Sequence, residues 1–370
     1  MGRQDRSLLK SLPSSLIIFL FCTAIVFGGV VGMSMILAML YSSERDLLVD
    51  NAEKHGISEK KSSRFGGVLV FFGSIAYWLV NAMIQGNGGQ GALDNRFLGF
   101  EPVVLLIGCV GLWEDSTGRL SPLVRLTLLF FFVGGYFLLN PDRLPTEVFS
   151  SNFPQILNHE VLIGLGVTVC VVGFINAGNI ADGANGLLSV VALAVCTVGY
   201  LQSGNLVYYA LLASLVIFIM FNITTGLIFL GDFGSYALSA LMALTCVELY
   251  SSGTSSVWFY ACLVSYPCVE LLRVMILRRL RGKSPMEADD SHLHNYLFTK
   301  LKSLGFTPLL ANTYTGLSIA ILSTFVPLAA FFSGISLVDP GVWFSIFASY
   351  CIVHLAICFY ISESRQSRVK

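Results

Sequence analysis

Residues 206–225 read LVYYALLASLVIFIMFNITT, twenty positions without one charged side chain. About 20 apolar residues are what a helix needs to cross the hydrocarbon layer, where only backbone paired within the segment is tolerated. Working outward, comparable stretches precede it at Leu16–Leu40, Gly66–Met83, Phe97–Trp113, Leu123–Leu139, Val161–Ala177 and Gly186–Leu201. Others follow at Tyr236–Tyr250, Val257–Leu277, Thr313–Phe332 and Gly341–Ile361, which makes eleven. The third holds Glu101-Pro102, and the sixth and eighth are short. The composition agrees: 55% of the 370 residues are hydrophobic, 12% are charged and the mean hydropathy is +0.75. Soluble domains carry about 25% charged residues, so this much apolar sequence has too few charges to hide behind. Twenty-eight Phe exclude disorder, and a formal net charge of zero excludes the basic face of a nucleic-acid binder. The fold class expected is all-α, a polytopic integral membrane protein with about 11 transmembrane helices.

Charge fixes the orientation. With eleven spans, the N-terminus and the even loops carry Arg3, Arg6, Lys10, Arg96 and Arg143, five cations. The odd loops and the C-terminus carry fifteen: five in loop 1, Arg119 in loop 3, six in loop 9 and three in the tail. Arg125 and Arg273 fall within spans. The odd loops are therefore expected in the cytoplasm, at residues 41–65, 114–122, 178–185, 226–235 and 278–312. The first span lacks a small-residue cleavage site after it and reads as a retained helix. All nine Cys fall in spans, where thiols pack as small hydrophobes.

Polar residues concentrate in the odd loops, and each cluster has a bland reading beside a chemical one. Loop 1 ends Lys60-Lys61-Ser62-Ser63-Arg64-Phe65-Gly66-Gly67, either topological cations before a helix or cations and bare backbone for a phosphate. Loop 3 holds Glu114-Asp115 before Ser121-Pro122; the acids either cap a helix or share a divalent cation with substrate phosphates. Loop 5 repeats Asn179, Asp182 and Asn185 at intervals of three, among glycines. One turn dipeptide would suffice for a simple turn, whereas oxygen ligands on loose backbone suit a metal or a nucleotide. Loop 7, Gly231-Asp232-Phe233-Gly234-Ser235, places a lone acid at a membrane edge, as a helix cap or as the partner of a cation. Loop 9 runs from Arg278-Arg279-Leu280-Arg281-Gly282-Lys283-Ser284 through Asp289-Asp290 to His292-Leu293-His294-Asn295. Basic residues at a cytoplasmic helix end are expected for topology alone and two His are too few for zinc; the chemical reading is an anion-binding loop of Arg, Lys and His.

In this order the clusters resemble the polyprenyl-phosphate N-acetylhexosamine-1-phosphate transferase family. SSRFGG resembles its P-R-x-G-G entry, and WEDSTGRLSPLVRL its D-D-x-x-x-x-L-S-P-x-x-R-L motif. NIADGANGL, IFLGDFGS and GKSPMEADDSHLHN resemble N-x-x-D-G-x-[DN]-G-L, F-x-G-D-x-G-S and G-R-S-P-x-x-A-D-x-x-H-L-H-H. Three positions depart: Glu114 replaces the first Asp of the pair, Asn185 the Asp of the pentapeptide-accepting branch, and Asn295 the last His.

The resemblance implies one transmembrane transferase domain over 1–370, in a bacterial inner membrane with its site toward the cytoplasm. The reaction it implies moves HexNAc-1-phosphate from a UDP-sugar to undecaprenyl phosphate, releasing UMP, as the first step of O-antigen or related polysaccharide synthesis. The phospho-MurNAc-pentapeptide transferase of peptidoglycan synthesis is the alternative within the family. The partners implied are a UDP-HexNAc donor, undecaprenyl phosphate and the lipid bilayer, with no nucleic acid and a homodimer as an allowed assembly. The cofactor implied is Mg²⁺, with Mn²⁺ an allowed substitute. Asp232 with Asn179 or Asp182 would hold the metal, and Asp115 would position or deprotonate the acceptor phosphate, assisted by Glu114. Asn185 would read uracil, Lys61, Arg64 and Gly66 would meet the acceptor phosphate, and Arg279, Arg281, Ser284, His292 and His294 would meet the donor. A covalent route stays open beside direct displacement. Two rivals come from other classes. A CDP-alcohol phosphotransferase would need Ala-Arg after Asp182-Gly183, which is absent. A transporter would use midplane acids such as Glu248 or Glu270, whose plain reading is pairing at a helix end.

Overall fold

A computed structural model describes residues 12–45, 48–50, 62–85, 102–148, 154–284 and 291–366. A helix occupies the described part of each stretch expected to span. The first is α1 (Ser14–Glu44), followed by a small antiparallel ribbon of β1 (Val49–Asp50) and β2 (Ser62–Ser63). Then come α2 (Gly66–Gln85), α3 (Pro102–Thr117), α4 (Pro122–Leu139), α5 (Glu160–Ala181), α6 (Leu187–Ser203) and α7 (Leu206–Thr225). The chain continues through α8 (Gly231–Ser251), α9 (Val257–Leu263), α10 (Ser265–Leu280), α11 (Leu293–Ser303), α12 (Pro308–Phe332) and α13 (Pro340–Gln366). Local chemistry sets the starts. Ser121 accepts the Val124 amide ahead of Pro122, Thr307 accepts the Leu310 amide ahead of Pro308, and Asn205 accepts the Val207 amide.

The protein is an all-α, multi-pass membrane protein. Seven described helices are long and apolar enough to cross a bilayer, and an eighth span is formed if α9 and α10, bent by 81° at Val264, count together. Among the described residues the expected count of eleven is not confirmed: α6 and the apolar part of α2 are shorter, and the described part of α3 has 16 residues. Outer faces are apolar: Val30, Leu138 and Leu139 are each at least 84% exposed, as lipid-facing side chains should be.

Four boundaries differ from expectation, and three of the shifts move candidate site residues from loop to helix. Asp232 lies in the first turn of α8, which starts five residues before the expected Tyr236. Asn179 lies in the last turn of α5, and Glu114 and Asp115 in the last turn of α3. Loop 9 contains the amphipathic helix α11, and α12 begins at Pro308 rather than Thr313. Hydropathy stops at the first acid, but the backbone hydrogen-bond ladder carries on past it.

The centre of the bundle is α8, packed by α2, α3, α5 and α6. Close approach depends on small residues facing it, as at membrane helix crossings generally. A Cβ on Gly111 of α3 would run into the Asp232 carbonyl, one on Gly67 of α2 into Gly234, and one on Gly178 of α5 into Ser239. The N-terminal end of α8 is thereby gripped by three helices, and that end carries Asp232.

Candidate active site

Backbone hydrogen bonds bring loop 1 and loop 7 together. The Ser63 amide donates to the Leu227 carbonyl at 3.0 Å, and the Phe229 amide donates to the Ser63 carbonyl at 2.8 Å. The Gly66 and Gly67 amides then donate to the Phe229 and Leu230 carbonyls, each at 2.9 Å. Gly66 is thus part of this seam. Lys61 lies outside the described residues.

The seam delivers Arg64 to loop 3. Its Nη1 donates to Asp115 Oδ1 at 3.2 Å, while Asp115 Oδ2 accepts the amides of Asp232 at 2.7 Å and Phe233 at 3.3 Å. Those amides are orphan donors at the start of α8, so Asp115 caps that helix from another chain segment and sits at the positive end of its dipole. Gly231, at φ +70°, makes the turn; a Cβ there would strike the Arg64 carbonyl and Asp115 Oδ2. Glu114 turns back on its own loop, accepting the Leu120 amide at 3.0 Å.

From loop 5, Asn179 Oδ1 accepts the Ser235 hydroxyl at 2.7 Å, which ties α5 to the first turn of α8. Among the described residues no donor hydrogen-bonds to the carboxylate of Asp182 or of Asp232. The two are close enough to repel each other, and burial together with the charges of Asp232 and Asp115 holds Asp182 well above the usual carboxylate range, against the pull of Arg64. Asp232 feels the attraction of Arg64 and Arg125 and the repulsion of Asp115 and Glu114. Of these six charged groups, acids outnumber cations. Two carboxylates without donors in a surplus of negative charge fit a divalent, oxygen-seeking cation.

Asn185 has a different place from the one expected. It is 2% exposed, its Nδ2 donates to Thr313 Oγ1 at 3.3 Å, its Oδ1 accepts from Asn222 at 3.5 Å, and its amide donates to Asn312. The side chain joins loop 5 to α7 and α12 and leaves no exposed edge for uracil.

In loop 9, His292 and His294 stack in parallel with centroids 5.3 Å apart. His294 Nδ1 meets the Tyr266 hydroxyl at 2.9 Å, and its ring lies against Gly183, so close that a Cβ there would collide with Nε2. Burial, then the neighbouring His292, pushes His294 down to about 3, so it is neutral at pH 7. The histidine pair therefore abuts the Asp182-Gly183 turn. Arg279, Arg281 and Ser284 stand exposed at and beyond the end of α10, whereas Arg278 is buried; residues 285–290 lie outside the described residues.

Sequence reasoning passed over Arg125, whose guanidinium lies 5.8 Å from the Tyr236 ring centroid and whose Nε is buried without a partner. A cation inside an apolar span was the available signal. The two transporter-type acids are both paired, Glu248 with Arg143 at 3.0 Å and Glu270 with Arg273.

Acids, amides and cations from separate loops thus converge on the start of one buried helix, and the comparison with known proteins falls on that region. Residues 97–250 match the family model described as glycosyl transferase family 4. The matched region runs from α3 to α8 and contains Glu114, Asp115, Asn179, Asp182, Asn185 and Asp232; Arg64 and the loop 9 histidines lie outside it. The chain is 26% identical over 216 residues to a phospho-N-acetylmuramoyl-pentapeptide-transferase of Streptococcus agalactiae, covering 54% of this chain and 63% of the relative. It is 28% identical over 209 residues to an undecaprenyl-phosphate alpha-N-acetylglucosaminyl 1-phosphate transferase of Thermotoga maritima, covering 56% and 63%. A phospho-N-acetylmuramoyl-pentapeptide-transferase of Limosilactobacillus reuteri is 26% identical over 208 residues, covering 50% and 60%. The matched stretch spans under two thirds of each of these curated relatives.

Proposed function

We propose that this protein transfers a HexNAc-1-phosphate group from a UDP-sugar to a polyprenyl phosphate such as undecaprenyl phosphate, releasing UMP. The observation that carries the reading is the pair Asp182 and Asp232: two carboxylates from different helix ends, near enough to repel and without donors among the described residues, beside Arg64. An oxygen of the lipid phosphate bonds to the β-phosphorus, the bond from that phosphorus to the bridging oxygen breaks, and the electron pair leaves on UMP. A phosphate monoester is largely dianionic at pH 7, with a second pKa near 6, so a strong base is less necessary than charge neutralisation. When bound, Mg²⁺ supplies that neutralisation of the pyrophosphate. Asp182 and Asp232 would hold it, with the Asn179 side-chain oxygen on α5, which accepts from Ser235 in the first turn of α8, a neutral candidate beside them. Arg64 and Arg125 would draw in the anionic substrates, and the His292–His294 stack would border the donor diphosphate or sugar.

Asp115 has a narrower duty than the acceptor base its position in the motif suggests. With one oxygen on Arg64 and the other on two amides, it holds the loops that present Asp232.

The excess of cations in the odd loops, fifteen against five, supports a site on the cytoplasmic face of a bacterial inner membrane. Relatives bearing both names match at 26% and 28% identity, so likeness alone favours neither branch. Asn295, standing where the resembled motif has its last His, favours a simple N-acetylhexosamine donor, feeding O-antigen or a related surface polysaccharide.

The test is UMP release by purified protein given Mg²⁺, undecaprenyl phosphate and a panel of UDP-HexNAc donors that includes UDP-MurNAc-pentapeptide. Release that needs both substrates supports the transferase and names its donor; folded protein that releases none with any donor overturns it.

A further inference from the structure

A buried ionic cluster around Glu270 lies outside residues 97–250, and of its members only His292 enters the transfer chemistry above. Glu270 on α10 is 1% exposed, and its carboxylate collects five donors. Oε1 accepts from Arg273 Nη2, from the Leu293 amide at 2.9 Å and from His292 Nδ1 at 3.3 Å. Oε2 accepts from Arg273 Nε at 3.1 Å and from His354 Nε2 at 2.8 Å. Arg273 also donates to the Ser291 carbonyl, just before the histidine motif.

Three chain segments meet at this carboxylate. It anchors the start of α11 through the Leu293 amide, an orphan donor at a helix N-terminus. It fixes His292 as the Nδ1–H tautomer, since a carboxylate lone pair can only be met by a proton on that nitrogen. His354 belongs to α13, the last helix, and is 0% exposed with Nδ1 buried and unpartnered. A carboxylate oxygen can only accept, so His354 donates to Glu270 from Nε2.

Glu270, His354 and Cys358 offer ligand atoms within 4.8 Å of one another, which raises a metal site as an alternative. Arg273 argues against one. Its guanidinium already holds both oxygens of Glu270 and would repel a metal cation placed on the same carboxylate.

We propose that Glu270 is a positioning residue for the His292–His294 stack, and that His354 of the last helix locks Glu270 in place. This rests on the transferase reading, in which that stack borders the donor. The chain of contacts runs from His354 through Glu270 to His292, by stacking to His294, and from there to Gly183 beside Asp182. Losing the lock therefore loosens the donor side of the site and leaves the Arg64 side as it was.

The experiment is steady-state kinetics on purified full-length protein with His354→Leu and His354→Gln, the Gln amide keeping a donor near the Nε2 position. His354→Leu should raise KM for the UDP-sugar at least tenfold, with kcat and the lipid-phosphate KM changed less than threefold. His354→Gln should return the donor KM to within threefold of wild type. In a His292→Ala background, adding His354→Leu should raise the donor KM no further, because the contact through which it acts is gone. An unchanged donor KM, an equal rise in both KM values, or additive effects in the double variant would overturn the positioning role. Should His354→Leu fail to accumulate, His354→Asn, polar but too short to reach Glu270, must raise the donor KM, and an unchanged value overturns the role equally. Wild-type protein that releases no UMP with any donor would instead bring down the transferase reading itself.

Discussion

Asp115 caps the helix that carries Asp232. Its Oδ2 accepts the Asp232 amide at 2.7 Å, across 117 residues of sequence. The adjacent acids of loop 3 thus have separate tasks: Asp115 fixes where Asp232 stands, and Glu114 closes its own turn on Leu120.

If Asp115 acts by holding rather than by taking a proton, an amide can replace its carboxylate. Asp115→Asn, which keeps an oxygen for the Asp232 amide, should retain activity within about tenfold of wild type, a loss of roughly 1.4 kcal/mol in transition-state binding. Asp115→Ala should lose about 1–2 kcal/mol of stability as a missing N-cap and nearly all turnover. Initial rates of UMP release beside thermal melts check this; an Asn variant as inactive as the Ala variant would assign Asp115 a proton-transfer role.

Asp182 and Asp232 repel each other without a cation. Asp182→Asn and Asp232→Asn should each lower turnover by on the order of 10²–10³-fold, the several kcal/mol a bound metal supplies. Neither should lower the melting temperature measured in EDTA, since each removes a repulsion. Wild type should gain about 2.7 kcal/mol in Mg²⁺ at a hundred times its Kd, and both variants should lose that gain. Melts of the three proteins with and without Mg²⁺ check this, and an equal gain in all three would place the ion elsewhere.

Asn185 departs from the acid of the pentapeptide branch, and its surroundings explain the amide. Nδ2 donates to Thr313, so Asn185→Asp would bury a charge and remove a donor at once. The expected cost is about 1–3 kcal/mol, read as a lower melting temperature and a lower yield of folded protein. A variant as stable as wild type but with an altered donor preference would restore the nucleotide-reading role.

How much of this was open to the sequence follows from what hydropathy measures. The apolar stretches were visible because lipid demands them, and the five polar clusters because charge is scarce around them. Helix ends were not visible, since an acid such as Asp232 lowers hydropathy yet extends a helix once Asp115 caps it. The partners of Asn185, Glu270 and His354 were not visible either. Each pairs with a residue distant in the chain (Asn185 with Thr313, Glu270 with His354), and no local period records such a contact. Gly111, Gly67 and Gly178 were legible only as composition, because their purpose is the backbone of α8 facing them.

His294 supplies a pH dependence. Its pKa in the folded protein, about 3, lies below the ordinary 6.5, so between those values the unfolded chain binds the extra proton. Stability from this group is complete above pH 6.5 and is lost as pH falls toward 3. His294→Gln, which does not titrate, should lose less melting temperature than wild type between pH 7 and pH 5 in the same detergent. Equal losses would mean that His294 is already solvated in the folded state.

The central claim, transfer of the sugar together with its phosphate, is tested most directly by a UDP-HexNAc donor radiolabelled in its β-phosphate. With Mg²⁺ and undecaprenyl phosphate the label should move into the organic-soluble lipid fraction while the released UMP stays unlabelled. Label found in water-soluble sugar phosphate, or left in the nucleotide while the lipid gains only sugar, would contradict it.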